Sequence, residues 1–403
     1  MTPQDNELLV RVAGRAPMGA MLRANYWFPA LISEKLVAGG APVPVRLLGE
    51  DFVAFRAHDG RVGFFNERCP HRGASLRLAR NEDNALRCIF HGWKYSVSGE
   101  VVEVPTQPTN NAAFCKSVPL KHYPVREAGR IVWVWLGEEP VQPFPDFEFT
   151  RLPAAQTYAV RQKVAYNWVQ DVEGGMDSAH LAVLHQSWLK SFGDIGAAVE
   201  DFAPSYEFEA QPGGFRYAAI RSMKSGSRYI RVNQFVMPWY ALICPEKVPD
   251  GDRLVIMSTP IDDGNTWHWL IRYNPYQALG PSYANPVEDV DDWPPLPPGP
   301  AESAWGQDRT MMAQGHFSGF RHLITEDFVV ALSQGTIADR SSEFLSAGDA
   351  AVVRLRRMLL DSVREFMAGK RPSLARHEEI PYSRIRAVGN VLAPQEDWRS
   401  LAA

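Results

Sequence analysis

A chain of 403 residues has room for two or three domains, each with its own core, and 45% apolar with 22% charged residues is ordinary for a globular protein. A formal net charge of -4 gives no reason to expect nucleic acid or an anionic membrane as partner, and no apolar run approaches a membrane span. Four cysteines are too few for a disulfide scaffold, and the polar N-terminus MTPQDNELLVRVAGR lacks a secretory pattern, so a reducing cytoplasm is the expected compartment.

After a short helical segment, VPVRLLG, FVAFRA and RVGFFN read as strands between Val43 and Asn66, separated by Gly-Glu-Asp and His-Asp-Gly turn signals. LRCIFHGWKYSV, EVVEV and RIVWVWLG extend the strand pattern to about Gly137, and the proline-spaced PVQPFPDFEF breaks it. The expectation is an α+β chain with an all-β domain at 1–148, including the N-terminal helical segment, and a mixed domain at 149–403. Within the second domain, Val164 to Leu189 reads as largely helical and Tyr206 to Ile271 as strands. Pro281 to Pro300 is a proline-rich loop, and Ala301 to Gln334 and Asp349 to Met367 have helical patterns. No internal repeat is visible.

The stretch CPHRG sets Cys69 and His71 two positions apart, and CIFHGWKY brings Cys88 and His91, so the whole reads C-x-H, sixteen residues, C-x-x-H. A structural zinc site pairs cysteine with cysteine and histidine with histidine in each half; here each half is mixed. That division suits a Rieske-type [2Fe–2S] cluster, with Cys69 and Cys88 on one iron and His71 and His91 on the other. Pro70, Gly73 and Gly92 supply tight turns, and Trp93 is placed to shield the site from water. Zinc, or a chance spacing, is the competing reading, and two intact halves weigh against it.

Such a cluster moves single electrons and activates no substrate, so a second centre is expected downstream. NWVQDVEGGMDSAHLAVLH, Asn167 to His185, carries Asp177, His180 and His185. Two imidazoles and a carboxylate make the facial triad of a non-haem Fe(II) with positions open for O2 and substrate. Asp177 lies one helical turn from His180, so the third ligand comes from elsewhere, and LITEDFVVALSQ offers Glu326 and Asp327. His180 and His185 stand about 140° apart on an ideal helix, so the helix must end, bulge or bend between them.

With both motifs in place the chain resembles the large (α) subunit of Rieske non-haem iron oxygenases. The resemblance runs from NYWFPALISEKL through CPHRGASL, CIFHGWKY and the NW-x8-D-x2-H-x4-H segment to ED-x6-Q ending at Gln334. Within that family the chain is similar to the phthalate-dioxygenase-like group, which oxidises aromatic carboxylates and aryl ethers. The resemblance implies a Rieske domain followed by a helix-grip (START/Bet v1-like) catalytic domain, assembled as a homotrimer or stacked hexamer. It makes His180, His185 and Asp327 the iron ligands, and Asp177 the bridge between His180 and the Rieske His91 of a neighbouring subunit. Ser178 and Arg231 match substrate-contacting positions. One departure matters: where many dicarboxylate-oxidising relatives have arginine after the proline, this chain reads APSYEF with Ser205. A monocarboxylate is therefore favoured over a phthalate-like dianion.

The remaining polar residues read blandly. Cys115 and Cys244 are expected as buried small residues, His268 as packed in a sheet, and His58 as solvated beside a turn. His316 and His322 are expected near the second centre without ligating it; Asn167 and Gln170 either line the iron pocket or cap a helix. Trp27, Trp133 and Trp135 read as Rieske-domain core. No dinucleotide or flavin motif is present, and a one-electron cluster takes no hydride, so NAD(P)H is expected to act through a separate flavin- and iron–sulfur-containing reductase. The expected function is a terminal oxygenase that uses O2 to hydroxylate an aromatic, carboxylated substrate of benzoate, phthalate or phenoxybenzoate type in aromatic catabolism. An O-dealkylating monooxygenase is the alternative. A plain Rieske electron carrier competes, but needs neither the second metal motif nor the residues around it.

Overall fold

The computed structural model describes residues 1–109, 111–190, 193–245, 251–280 and 294–401. Pro3–Val10 (α1) and Pro17–Asn25 (α2) each open on proline, whose fixed φ suits a first helical turn where no N–H is needed. The strands that follow are β1 (Trp27–Ile32), β2 (Val43–Leu47), β3 (Glu50–Arg56), β4 (Val62–Asn66), β5 (Arg80–Glu82), β6 (Ala85–Arg87), β7 (Lys94–Ser96), β8 (Val101–Glu103), β9 (Val125–Ala128) and β10 (Ile131–Trp135). They form three antiparallel sheets, β2-β3-β4, β5-β6-β7-β8 and β1-β10-β9. A helix, α3 (Asn111–Ser117), inserts before β9.

The second half is built on one antiparallel sheet. Its strands are β11 (Thr157–Val164), β12 (Ser205–Gln211), β13 (Gly214–Ser222), β14 (Arg228–Val236), β15 (Tyr240–Ile243), β16 (Arg253–Pro260), β17 (Thr266–Tyr273) and β18 (Val388–Leu392). The order is β11-β17-β16-β15-β14-β13-β12, with β18 on the free half of the β14 edge. Between β11 and β12 run three short helices, α4 (Trp168–Met176), α5 (Ala179–Leu184) and α6 (Gln186–Leu189). Arg309–Ala313 (α7), Leu323–Ser333 (α8) and Ala350–Met367 (α9) lie between β17 and β18. The α4 helix lies on β15, β16 and β17, and α9 packs over α4, α1 and α2. Ala351, Leu355, Leu359 and Val363 of α9, four residues apart, form its buried stripe.

Two of the hydrophobic cores, unequal in size, underlie the sites. Val53, Phe55, Phe65, Leu86, Trp93 and Tyr95 pack with Cys69 and Cys88 in a small core under β3–β8. Trp27, Trp133 and Trp135 belong instead to a larger core that runs from α1, α2, β1 and β10 into the big sheet and α9. Ala301 to Gln334 is helical only in part: Gly306, Gly315 and Gly319 take positive φ and break the segment into short turns before α8. The proline-rich stretch 281–300 lies largely outside the described residues, and its described part, 294–300, is neither helix nor strand.

Candidate metal centres and active site

The two cysteine–histidine loops are the same turn used twice. Gly73 donates its N–H to the Cys69 carbonyl (2.9 Å) and Gly92 to the Cys88 carbonyl (3.0 Å), each glycine at φ 73°. The Cys69 N–H returns to the Ala74 carbonyl (2.8 Å) and the Cys88 N–H to the Trp93 carbonyl (2.9 Å), closing both loops. A positive φ with nothing gained by a side chain is where glycine is favoured. The turns aim their side chains at one another. The His71 ring stacks on Trp93 (centroids 4.5 Å, 9° between planes) and meets the His91 ring edge-on at 4.4 Å.

The residues fit a cluster with mixed ligation. Cys69 and Cys88 are buried, and the Tyr95 hydroxyl lies 2.9 Å from the Cys69 sulfur, placed to donate to a thiolate. His91 Nδ1 is buried with no hydrogen-bond partner among the described residues, a lone pair that an iron would take up. Cys115, by contrast, donates to the Asn111 side chain on α3 and takes no part in the two loops.

The second site is assembled from two distant segments. Asn167 caps α4 by accepting from the Val169 N–H (3.0 Å), while its amide donates to the Val10 and Asp263 carbonyls. Gln170 ties α4 to the end of α8 through the Ala331 and Gly335 carbonyls (both 3.0 Å). The α4 helix stops at Met176; Asp177 is extended (φ -82°, ψ 116°), and its Oδ1 accepts from the Ala179 N–H (2.7 Å) to start α5. The helix then ends again at Leu184. His185 (φ -92°, ψ 10°) separates α5 from α6, and this break brings His180 and His185 to one point.

That point is Asp327 on α8. Its Oδ1 lies 3.0 Å from His185 Nε2 and 3.4 Å from His180 Nε2. One ligand atom from each of the three residues falls within 4.8 Å of the others. Both rings have their other nitrogen engaged. His180 Nδ1 faces Asp177 Oδ2 at 3.2 Å, and His185 Nδ1 faces Glu326 Oε2 at 2.6 Å. Glu326 is fully buried and also accepts from the Ser318 hydroxyl. Of the adjacent carboxylates, Asp327 therefore faces the converging nitrogens, and Glu326 grips a histidine from behind.

The charges are unbalanced. Burial opposes an imidazolium at His180, yet the Asp177 and Asp327 carboxylates push its pKa up to about 10. Burial opposes the Asp327 carboxylate as well, but His185 and His180 hold it well below the usual carboxylate range. So dense a negative environment around two imidazoles favours a cation, and the 2-His-1-carboxylate donor set with an open side fits iron(II).

A cavity of about 320 Å³ opens over this triad. Leu254, Ile256 and Leu270 supply apolar wall from the sheet, and Leu189 and Leu323 from the helices. Arg231, on β14, is 2% exposed and, among the described residues, reaches only the Tyr229 hydroxyl (3.4 Å) and the Cys244 carbonyl (3.3 Å), leaving its Nε without a partner there. Ser178 also lines the cavity, its carbonyl and hydroxyl accepting from buried Arg221 (2.5 and 3.4 Å). Ser205 is exposed at the start of β12 and lies outside the cavity lining. Cys244 is buried in the cavity wall; His316 accepts from the Gly319 N–H (3.1 Å), His322 precedes α8 and lines the cavity, and His58 is exposed.

Residues 26–124 match the Rieske [2Fe-2S] domain model and residues 134–403 the LigXa C-terminal domain like model. The chain belongs to the Rieske non-haem iron oxygenases, as an oxygenase subunit. It is 36% identical to the phthalate 4,5-dioxygenase oxygenase subunit of Pseudomonas putida, over 100% of this chain and 95% of that one. It is 33% identical to the 3-chlorobenzoate-3,4-dioxygenase oxygenase subunit of Comamonas testosteroni (98% and 96%). With the 5,5'-dehydrodivanillate O-demethylase oxygenase subunit of a Sphingobium strain the identity is 29% (92% and 82%). An oxygenase–ferredoxin complex of carbazole 1,9a-dioxygenase shares the fold at 20% identity (TM-score 0.61; 90% of this chain, 97% of that one). The family uses a [2Fe–2S] cluster, a mononuclear iron and electrons from a reductase. Among the described residues no helix is long and apolar enough to cross a membrane.

Proposed function

We propose that this chain is the terminal component of a cytoplasmic Rieske system that hydroxylates an aromatic carboxylate. The observation that carries the reading is Arg231: a buried guanidinium without an ion pair among the described residues, in the apolar wall above a 2-His-1-carboxylate triad. A buried cation without an acid is costly until an anion pairs with it, and a bidentate carboxylate matches its geometry. Ser178, which lines the same cavity, adds a polar contact. With no second arginine at Ser205, one carboxylate is expected on the substrate.

In this reading Cys69, His71, Cys88 and His91 hold the cluster, and His180, His185 and Asp327 hold Fe(II). When bound, the cluster supplies single electrons and the iron a site for O2. The protein does the rest. Glu326 and Asp177 keep the Nδ1 protons of His185 and His180, so both Nε2 atoms present lone pairs to the ion. Leu254, Ile256 and Leu270 keep water from the ring, and Arg231 fixes which ring edge lies over the triad. Asp177 serves as the bridge to His91 of a neighbouring subunit in a homotrimer or stacked hexamer. Ile89 and Phe90, exposed beside His91, fit burial against another copy. Domain boundaries at 148 and 149 separate the cluster part from the catalytic part. Electrons come from NAD(P)H through a separate reductase, consistent with the separate ferredoxin in the carbazole system.

The test is O2 uptake by the purified protein with a generic flavin and iron–sulfur reductase, offered benzoate, phthalate and methoxybenzoates. Coupled uptake with a benzoate, and a large rise in KM in Arg231→Gln, is the expected outcome. Turnover of only uncharged aromatics would overturn it. Similarity to an O-demethylase supports a second reading, aryl-ether cleavage, which formaldehyde release from the methoxybenzoates distinguishes.

A further inference from the structure

The far end of the cavity holds a second polar device. Asp171, on α4, is 6% exposed and accepts three hydrogen-bonded partners. The Tyr166 hydroxyl reaches its Oδ1 (2.7 Å), the Ser258 hydroxyl its Oδ2 (2.6 Å), and His268 Nδ1 lies 3.0 and 3.1 Å from the two oxygens. A carboxylate already accepting from two hydroxyls has no proton to give, so the proton between it and His268 sits on Nδ1. The ring is held from the side by Phe328, edge-on at 5.1 Å. His268 is 4% exposed, lines the cavity, and keeps one nitrogen, Nε2, buried without a partner among the described residues.

A histidine that merely packed in the sheet would account for Nδ1 and leave Nε2 unexplained. A buried acceptor without a donor is unfavourable, and such exceptions call for a missing partner. The position of His268 says which partner. It stands on β17 and Arg231 on β14, diagonally across the sheet: the two strands are three apart in the order, and Arg231 lies on the half of β14 that pairs with β18, beyond the stretch from Gln234 that pairs with β15. Ile243, Leu254, Ile256 and Leu270 fill the face between. Arg272 and Asp252 also line the cavity, and along the diagonal from Arg231 to His268 the wall has a cationic anchor at one end, an apolar middle, and a hydrogen-bond acceptor at the other.

We propose that His268 is a specificity-determining residue whose Nε2 accepts a hydrogen bond from a ring hydroxyl, so that the preferred substrate is a hydroxylated aromatic carboxylate. This rests on the reading of Arg231 as the carboxylate anchor. Asp171 is a positioning residue: it holds the tautomer that leaves Nε2 as acceptor. A hydroxyl satisfies the orphaned nitrogen, whereas a bare ring leaves it unpaired, and sites built to bond a hydroxyl discriminate strongly against its absence.

Calorimetric titration of the anaerobic holoenzyme with benzoate, phenol, 3-hydroxybenzoate and 4-hydroxybenzoate tests it. In wild type, one hydroxybenzoate binds at least about tenfold tighter than benzoate, and in His268→Leu that ratio collapses towards one. Phenol binding lost in His268→Leu but kept in Arg231→Gln supports the inference even if benzoate does not bind, a result that would sink the carboxylate reading alone. His268→Phe, which keeps the ring's volume but offers no acceptor, stands in should the leucine variant not fold, with the same expected loss of discrimination. No hydroxyl preference in wild type, or the same preference in a folded His268 variant, overturns the proposal.

Discussion

The cluster loops and the helix-borne triad reach the same end, converging donors, by opposite routes. In the loops all four donors lie between residues 69 and 91, each pair carried by a self-closed turn with a glycine at φ 73°. Each turn is fixed by its own hydrogen bonds, and the small core beneath packs only the local strands. The triad has no such autonomy. His180 and His185 converge only because α5 breaks at His185, and Asp327 arrives from a helix that comes after β17, about 140 residues further along the chain. Its geometry is held from outside: by Glu326, Asp177, and the Gln170 ties between α4 and α8. A locally built site is lost by removing its own ligands. A tertiary site is tuned by many residues that never touch the ion.

The largest effects test that contrast at the ligands. Cys69→Ser or His91→Ala is expected to abolish the cluster's absorption and EPR signature and all turnover. The thermal transition of the big sheet should persist, because its core is distinct from that of the loops. A normal spectrum in either variant would refute the ligand assignment. One step down, Asp327→Ala is expected to lose mononuclear iron and activity with the cluster spectrum intact. Glu326→Ala instead strands the His185 Nδ1 proton, and iron affinity should fall about 10–100-fold without vanishing. Chelator titration ranks the two; if Glu326→Ala is the iron-free protein, the ligand is Glu326.

The same contrast explains what could be read from the sequence. Mixed Cys–His halves with a turn residue after each carry their geometry in the spacing, so the cluster loops were legible from residues alone. The two histidines were legible as a pair in need of a break, since five residues do not share a helix face, and the break at His185 is where it had to be. The choice between Glu326 and Asp327 was not: adjacent residues point about 100° apart, but which one faces inward depends on how α8 packs. His268 was read as a sheet residue, which it is; that its Nδ1 meets Asp171 depends on α4 crossing β16 and β17. β1, apolar at every position and buried throughout, gave no alternation to see. Of the two interruptions in Val164 to Leu189, the one between the histidines was expected, and the one at Asp177 was not: there the side chain accepts from the Ala179 N–H and starts a new helix, whereas His185 turns towards Glu326 and Asp327 across the fold.

A smaller effect probes the passage between the two sites. Asp177→Asn removes no ligand, so both centres should stay substantially occupied, while turnover falls about 10–100-fold as His180 loses its charged partner. Single-turnover reoxidation of the pre-reduced cluster is the measurement. A wild-type rate in that variant, or full activity in a verified monomer, would remove Asp177 from the route and make the two sites more independent than proposed.

The smallest effect concerns the clamp that ties the regions together. His377, 4% exposed, lies 2.6 Å from the Asn25 carbonyl through Nε2 and 2.7 Å from the Tyr382 hydroxyl through Nδ1. Asn25 ends α2 just ahead of β1, so this contact joins the C-terminal segment to the entry of the cluster-bearing half. Burial is the main cause pushing the His377 pKa down to about 4, and the fold therefore holds the neutral ring, Nε2–H donating to Asn25 and Nδ1 accepting from Tyr382. An unfolded histidine titrates near 6.5, so the unfolded chain takes the proton first as pH falls. The stability this residue contributes is present above about pH 6.5 and is lost as pH drops toward 4, by up to about 3 kcal/mol. His377→Gln keeps a donor for Asn25 and cannot titrate in this range. Urea unfolding at pH 7 and pH 4.5 should show a shallower loss of stability in the variant than in wild type, with activity at pH 7 unchanged. If the cluster part and the sheet unfold together, the whole transition shifts; if they unfold apart, only the sheet's transition does. Parallel pH profiles for the two proteins would show that His377 is not the titrating clamp.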